Sequence, residues 1–369
     1  MNRPEAERFL TALAEVRAAG LRAAVATVVR VHGSAYRREG ARMLVRPDGT
    51  YECALSGGCL EPAVAEAAAR VIATGEPATV RYDLADDSIW SLNIGCSGAI
   101  DIRIERIDDD EVTRAWLGVL ARGEPAVLVT ALEGASRRRV VFPASSVGEL
   151  GDTDVEARAD ALARERLAAS DGLSGVERIN GSELFFEFNL APPELVVFGA
   201  GQDAVPLVQQ AWPLGFAVTV VDPRAAYLRR DLFGSARLVL TAFDALPAAL
   251  TMPRGAFAVV MSHHLERDRR ALRFCLEREP AYIGVLGPRV RYERLLSDLA
   301  GEGFTLAAGR RDRVHSPIGL ALGAETPEEV AMSILAEILA IRRGFAGGFL
   351  AGETGSLHRP ADTRARARS

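Results

Sequence analysis

Apolar positions recur at helical spacing over Pro4–Ala19, where Phe9, Leu10, Leu13 and Val16 share a face and Gly20 suits the stop. The apolar run Leu21–Val31 predicts a strand, and Met43–Val45 resumes one after the polar loop His32–Gly40. Pro47-Asp48-Gly49 is a turn, since proline presets φ and glycine tolerates positive φ. A helix is expected over Pro62–Thr74 and a strand over Thr79–Leu84. Ile100, Ile102 and Ile104 alternate with Asp101, Arg103 and Glu105, which predicts a half-buried strand over Ile100–Ile107. Glu111–Arg122 reads as a helix and Val155–Ala169 as an amphipathic one. Ala126–Leu132 and Arg138–Phe142 form a hairpin pattern around Gly134, and Leu184–Phe188 reads as a core strand.

Ala191-Pro192-Pro193 breaks the pattern and places a domain boundary. Beyond it, short apolar strands alternate with helical segments: Leu195–Phe198, Phe216–Val221, Arg237–Leu240, Ala256–Met261 and Tyr282–Leu286. This rhythm predicts an α/β fold, with a C-terminal Rossmann-like, doubly wound parallel sheet and an N-terminal mixed α+β domain. The expected domains are 1–190 and 193–345, with 346–369 a disordered, arginine-rich tail.

The first of these strands is followed by Gly199, Gly201 and Ala204 in G-x-G-x-x-A spacing. Gly199 allows the turn, Gly201 lets backbone approach a phosphate, and Ala204 lets the helix sit close on the sheet. The helix N-terminus then faces an anion. Asp222 ends the next strand, about 20 residues on, where a carboxylate can bind ribose or another polyol. The competing reading is a Rossmann fold without a nucleotide. Ligands bind beyond strand C-termini in such sheets, so the glycine turn, Asp222, His263, His264 and Arg289 are expected to line one crevice. A strand-end histidine can equally be a helix cap or a satisfied surface group. Thr326, Pro327 and Glu329 read as a capping box opening a helix to Ile341, which leaves His315 in the preceding Arg313–Gly319 stretch unexplained.

In the N-terminal half, Gly57 and Gly58 bring backbone amides close to whatever binds there, with Cys59 and Glu61 near the following helix N-terminus. A thiol in that place can have its pKa lowered, although a small buried cysteine at a tight turn is the plainer reading. Asn93–Gly98 is a second glycine-cysteine loop, containing Cys96. Asp83, Asp86 and Asp87 suggest a metal cluster but lack a full calcium-loop spacing, so a solvated acidic loop is expected.

Composition narrows the function classes. The chain has 369 residues, 49% hydrophobic and 25% charged, with room for two domains. Its net charge of −5 argues against broad nucleic-acid binding. No apolar run reaches the ~18 residues of a membrane helix, and the N-terminus lacks a secretory core. The four cysteines show no C-x-x-C pairing and no zinc spacing, which points to reduced thiols in the cytoplasm. All 44 basic residues are arginine, and the absence of lysine excludes a Walker A loop, a Schiff base and a kinase-type lysine.

Taken in order, these motifs resemble the xanthine dehydrogenase accessory protein family (XdhC/CoxI-like). The likeness rests on Gly33-Ser34, Tyr36-Arg37, Gly40–Val45, Ser56–Glu61 and Gly95–Gly98 in the first domain. In the second it rests on Phe198–Gly201, Asp222-Pro223-Arg224, Ser262-His263-His264, Arg313–Gly319 and Gly323–Glu329. The resemblance implies a molybdenum cofactor chaperone rather than an enzyme. Such a protein binds the molybdopterin cofactor, or its dinucleotide form, and helps it receive a sulfido ligand from a cysteine desulfurase. It then delivers the cofactor to a xanthine dehydrogenase- or CO dehydrogenase-type apoenzyme. A homodimer is expected. Gln202 departs from the family's usual histidine, and His263-His264 replaces a more spaced histidine-aspartate pattern.

On this reading the helix after Gly201 takes the phosphate, Arg224 and Arg289 add charge-assisted contacts, and His263, His264 and His315 complete the C-terminal side. Ser34 to Arg37, Gly57, Gly58, Cys59 and Cys96 close an interdomain cleft, and Cys59 protects or relays sulfur. The rival is an NAD(P)-dependent oxidoreductase with His263 or His315 as proton donor. A third reading is a plain protein adaptor.

Overall fold

The computed structural model describes residues 1, 3–33, 35–83, 98–134, 136–169, 172–305 and 311–351. Two compact units divide the chain between Ala191 and Pro192. Ser34, Asp86, Asp87, Cys96 and most of the C-terminal tail lie outside the described residues.

Unit 1 begins with α1 (Arg3–Ala18), β1 (Ala24–Gly33), β2 (Arg42–Val45), β3 (Tyr51–Glu52), α2 (Glu61–Thr74), β4 (Ala78–Asp83) and β5 (Gly98–Arg106). These strands form an antiparallel sheet in the order β3-β2-β1-β5-β4. The first strand begins at Ala24 rather than Leu21. Gly20, at φ 68°, instead closes α1, and the Leu21 amide donates to the Val16 carbonyl at 3.0 Å. Next come α3 (Glu111–Arg122), β6 (Ala126–Ala131), β7 (Arg138–Val141), β8 (Ser146–Gly148), α4 (Thr153–Ala168), β9 (Gly175–Ile179) and β10 (Ser182–Asn189). Their strands build a second antiparallel sheet, β8-β7-β6-β10-β9.

Strand alternation sorts the side chains. Ala26, Val28, Ile102 and Ile104 pack with Val64, Ala68 and Val71 of α2. Val127, Val129, Leu184 and Phe186 pack with Val155, Ala159 and Ala163 of α4. The opposite, polar faces are joined to each other. Arg42 bonds Glu187, Arg30 reaches Glu183 at 2.5 Å, and the Arg103 guanidinium donates to the Leu132 carbonyl at 3.4 Å. The expectation of a half-buried strand at Ile100–Ile107 therefore needs correction. Asp101, Arg103 and Glu105 are only 8%, 5% and 8% exposed, because the second sheet covers the face that would otherwise meet water. A bulge at Val29 serves this seam. The β1–β5 register shifts between Val28 and Arg30, setting Arg30 opposite Asp101 instead of on the apolar face.

Unit 2 runs β11 (Glu194–Phe198), α5 (Ala204–Ala211), β12 (Ala217–Asp222), α6 (Arg230–Phe233), β13 (Arg237–Leu240), α7 (Leu246–Ala249) and β14 (Phe257–Val260). It continues with α8 (Leu265–Arg278), β15 (Tyr282–Val285), α9 (Arg289–Gly301), β16 (Val314–His315) and α10 (Pro327–Arg343). The sheet order is β13-β12-β11-β14-β15-β16, all neighbours parallel. It is the doubly wound arrangement, with α5 and α10 packed on one apolar face and α7, α8 and α9 on the other. The order reverses between β11 and β14, which places a crevice at their carboxyl ends. The capping box at Thr326 and Glu329 opens α10 as the sequence predicts, with Pro327 in its first turn.

Gly284 in β15 is required by packing. A Cβ there would lie 2.1 Å from Ile318 Cδ1 and 2.8 Å from the Tyr282 hydroxyl. Gly284→Ala is expected to cost about 2 kcal/mol by overpacking, read as a lower urea midpoint at unchanged m value. An unchanged midpoint means that the Tyr282 and Ile318 side chains move aside freely.

Candidate functional site

The glycine turn leaves β11 at the switch point. Gly199 has φ 117°, and a Cβ on it would stand 2.7 Å from the Met261 carbonyl and from Ser262 Cα. Only glycine suits both that backbone and the close passage of the β14 exit. At Gly201 a Cβ would meet Asp203 Oδ1 at 2.6 Å, so the missing side chain makes room for a carboxylate. Ala204 is buried against the sheet and holds the eight-residue α5 close to it.

Asp203 is the residue that sequence reasoning passed over. It precedes α5 without capping it. Its carboxylate instead meets His263 Nε2 at 2.6 Å, across 60 positions of sequence. No local signal pairs them, because the contact exists only once β11 and β14 are neighbours. His263 sits at φ 59°, a left-handed conformation that costs a non-glycine residue about 1 kcal/mol or more. The Asp203 bond holds it there, and its ring is 62% exposed at the crevice. Among the described residues, nothing accepts from the amides of Gly201, Gln202 and Asp203. These amides and the α5 N-terminus favour an anion, and the exposed imidazole adds a donor or, when protonated, a positive charge.

The turn carrying His263 is braced from below. The Ser262 amide and hydroxyl donate to Asp268 Oδ1 at 3.0 and 2.6 Å, and Arg291 holds the other carboxylate oxygen at 2.5 Å. His264 is the N-cap position of α8 and makes no side-chain cap. Its amide donates to the Ser262 hydroxyl at 3.4 Å. Arg289, expected to contact the bound anion, is 74% exposed and pairs with Glu293 along its own helix, while the arginine that holds Asp268 is Arg291.

Asp222 closes the back of the crevice but is fully buried. Its carboxylate accepts from the Ala200 amide at 2.9 Å, the Arg224 amide at 2.9 Å, and Arg224 Nε and Nη2 at 2.9 and 2.8 Å. Burial pushes its pKa up, but the Arg224 guanidinium and the two amides outweigh this and hold it below the usual carboxylate range. Arg224 in turn lies over the Tyr227 ring, Cζ 3.7 Å from the centroid. Asp222 and Arg224 are thus partners of each other, and the carboxylate expected to face a ribose is engaged within the fold.

His315 belongs to a different cluster, on the edge strand β16, two strands from β14. Its Nδ1 lies 3.0 Å from Glu337 of α10, and its ring stacks on Tyr282 at 4.7 Å between centroids. The Tyr282 hydroxyl and the Gly319 amide donate to the same carboxylate. Burial raises the Glu337 pKa, but these hydrogen bonds outweigh it and lower it overall. Glu337→Gln is expected to destabilise unit 2 by about 1–2 kcal/mol, measurable by urea unfolding, while leaving the switch-point crevice intact.

In unit 1 the Ser56–Glu61 loop is built on one buried carboxylate. Glu61 accepts from the Leu55 amide at 2.9 Å, the Ser56 amide at 2.7 Å, the Ser56 hydroxyl at 2.6 Å and the Leu60 amide at 3.2 Å. The Ser56 hydroxyl accepts in turn from the Gly58 amide at 3.2 Å and the Cys59 thiol at 3.3 Å. Gly57 and Gly58 are exposed, with open space where a Cβ would stand. The half-buried Cys59 thus lies beside bare backbone before α2. Glu61 shapes this loop from inside. Arg37 pairs with Glu5 of α1 at 2.8 Å. Among the described residues no group of three or more His, Cys, Asp or Glu is arranged to hold a metal, and no helix is long and apolar enough to cross a membrane.

Comparisons with known proteins find a match within each unit. The XdhC Rossmann domain matches residues 195–338, and the XdhC and CoxI family matches residues 16–83. A Bacillus subtilis protein named as a probable xanthine dehydrogenase subunit is 34% identical over 336 residues, covering 88% of this chain and 94% of the relative. The Escherichia coli molybdenum cofactor insertion chaperone PaoD is 23% identical over 326 residues, covering 88% and 84%. A crystal structure described as a xanthine dehydrogenase from Bacillus halodurans aligns with a TM-score of 0.75 at 28% identity, covering 96% of this chain and 98% of the other. The chain therefore belongs to the XdhC and CoxI family.

Proposed function

We propose that this chain carries the molybdenum cofactor as cargo and serves the maturation of a xanthine dehydrogenase- or CO dehydrogenase-type molybdoenzyme. In this role it holds the cofactor while a cysteine desulfurase supplies the sulfido ligand, and then passes it to the apoenzyme. Family membership and the likeness to PaoD support the role. The observation that carries the binding site is the set of free amides at Gly201, Gln202 and Asp203, beside an imidazole held in a strained conformation. That donor set fits the phosphate end of the cofactor, either as a monophosphate or as a pyrophosphate. A nicotinamide dinucleotide is the weaker fit, because the acid expected at its ribose is fully engaged with Arg224 and the Ala200 amide.

The test is to purify the protein from cells making molybdopterin and identify what it retains. Retention of the pterin without turnover is expected. Recovery of nicotinamide nucleotide alone overturns the reading in favour of an oxidoreductase. His263→Asn tolerates the left-handed backbone but removes the imidazole. It is expected to weaken cofactor retention about tenfold, the worth of one charge-assisted hydrogen bond, with no change in thermal stability. Retention equal to wild type removes His263 from the site.

We assign Cys59 a role in protecting or relaying sulfur, on the strength of its place beside Gly57 and Gly58 and its half-buried thiol. A persulfide donor is expected to add one sulfur to Cys59, seen as a mass increase that Cys59→Ser abolishes. An unmodified thiol under transfer conditions counts against the relay.

A further inference from the structure

The ionic seam inside unit 1 contains a cavity of about 30 Å3, bounded by β1, β2, β5, β6, β7, β10 and α3. That volume is enough for one or two water-sized guests. Three donor nitrogens of side chains lining it have no hydrogen-bond partner among the described residues: Arg42 Nε, Arg103 Nη2 and Trp116 Nε1. These side chains are removed from solvent, the two arginines at 6% exposure each and Trp116 at 4%. The Arg42 guanidinium lies over the Trp116 indole, Cζ 5.3 Å from the ring centroid, so two of the donors come from a single stacked pair.

Buried donors without partners cost about 1–3 kcal/mol each, and three in one cavity are rarely left bare. What fills the space must be an acceptor. A single water accepts only two hydrogen bonds, and a pair of waters would bring four protons of their own to place, whereas one monoatomic anion accepts from all the open donors and brings none. The three arginines of the lining are each paired with one carboxylate, Arg42 with Glu187, Arg103 with Glu105 and Arg138 with Asp110, so it is the donors left open, and not an excess of charge, that call for an acceptor. The Thr27 and Thr130 hydroxyls, also in the lining, can rotate to donate as well.

We infer that this cavity binds one small monoatomic anion of chloride size, held by Arg42, Arg103 and Trp116 between the two antiparallel sheets. The site lies wholly within unit 1 and does not rest on the cofactor reading. The anion links both sheets to α3, so the stability of unit 1 depends on halide concentration by mass action.

Bromide is the probe. With the full chain at constant ionic strength, replacing gluconate by bromide is expected to raise the melting temperature saturably. Crystals grown in bromide are expected to show one anomalous peak within hydrogen-bond distance of the Trp116 indole nitrogen. Trp116→Phe keeps the ring beneath Arg42 and removes one donor, and should raise the half-saturating bromide concentration about tenfold. If that variant fails to fold, the wild-type titration and the anomalous map still decide the matter. Water density alone, or a bromide peak without a saturable rise in melting temperature, overturns the proposal.

Discussion

Glu61→Ala is expected to cost unit 1 about 4 kcal/mol and to unmake the Ser56–Leu60 loop. The carboxylate accepts four hydrogen bonds, from the Leu55, Ser56 and Leu60 amides and the Ser56 hydroxyl, and is itself fully buried. Alanine leaves these donors without an acceptor, at about 1–3 kcal/mol for each one that water does not reach. The Ser56 hydroxyl then loses the partner that aims its oxygen at the Gly58 amide and the Cys59 thiol. Urea unfolding measures the energy, and the alkylation rate of Cys59 reports the loop. Glu61→Gln retains one acceptor oxygen and should fall between the two. A cost under about 1 kcal/mol for alanine means that water enters and replaces the carboxylate. The pKa of Glu61 is lowered, since the hydrogen bonds from Ser56 and its neighbours outweigh the upward push of burial. Its contribution is therefore complete above the ordinary carboxylate range and declines as the pH falls through the lower folded value.

Asp222→Asn is expected to cost unit 2 about 3 kcal/mol at pH 7. The change leaves Arg224 without its charged partner and puts an amide nitrogen where an acceptor is required, beside the Ala200 amide, the Arg224 amide or the guanidinium. Loss of one member of a buried pair costs about 3–5 kcal/mol, and partial exposure of Arg224 places this case at the lower end. The pH dependence gives a second reading. The folded pKa of Asp222 is depressed, so the wild type loses this stability as the pH falls through it. The gap between wild type and Asp222→Asn should accordingly shrink below about pH 4. A gap that stays constant between pH 7 and pH 3 shows that packing, and not charge, is at stake. Because Asp222 is tied to Ala200, the substitution should also loosen the glycine turn and lower cofactor retention.

Much of the site was legible because its signals are local. The glycine spacing after an apolar strand, the acid ending β12 and the helix start at Thr326 each follow from chemistry within a few residues. The histidine at the β14 exit was legible as a strand-end residue. The partners of these groups were not. Asp203, Arg291 and Glu337 take part through contacts 60, 23 and 22 positions away in sequence, and nothing in their own neighbourhood marks them, while Asp268 joins a partner six residues off to one 23 residues off. The same limit separates His315 from His263: one ends β16 and the other follows β14, but β16 is an edge strand and β14 adjoins the switch point.

The chain's own order of apolar and polar residues determined a parallel βα domain after Pro192, strands that alternate before it, and a glycine turn able to meet an anion. Periodicity and turn chemistry are properties of neighbouring residues, and they survive without knowledge of the fold. Tertiary structure alone decided what each polar face would meet. The Asp101–Arg103–Glu105 side of β5 has the pattern of a solvated face, yet a second sheet covers it and turns it into a buried ionic seam. Asp222 has the place of a ribose acceptor, yet Arg224 two residues on folds back and occupies it. A side chain's charge is written in the sequence, but the partner that neutralises or exposes it is set by which strands and helices come to lie beside it.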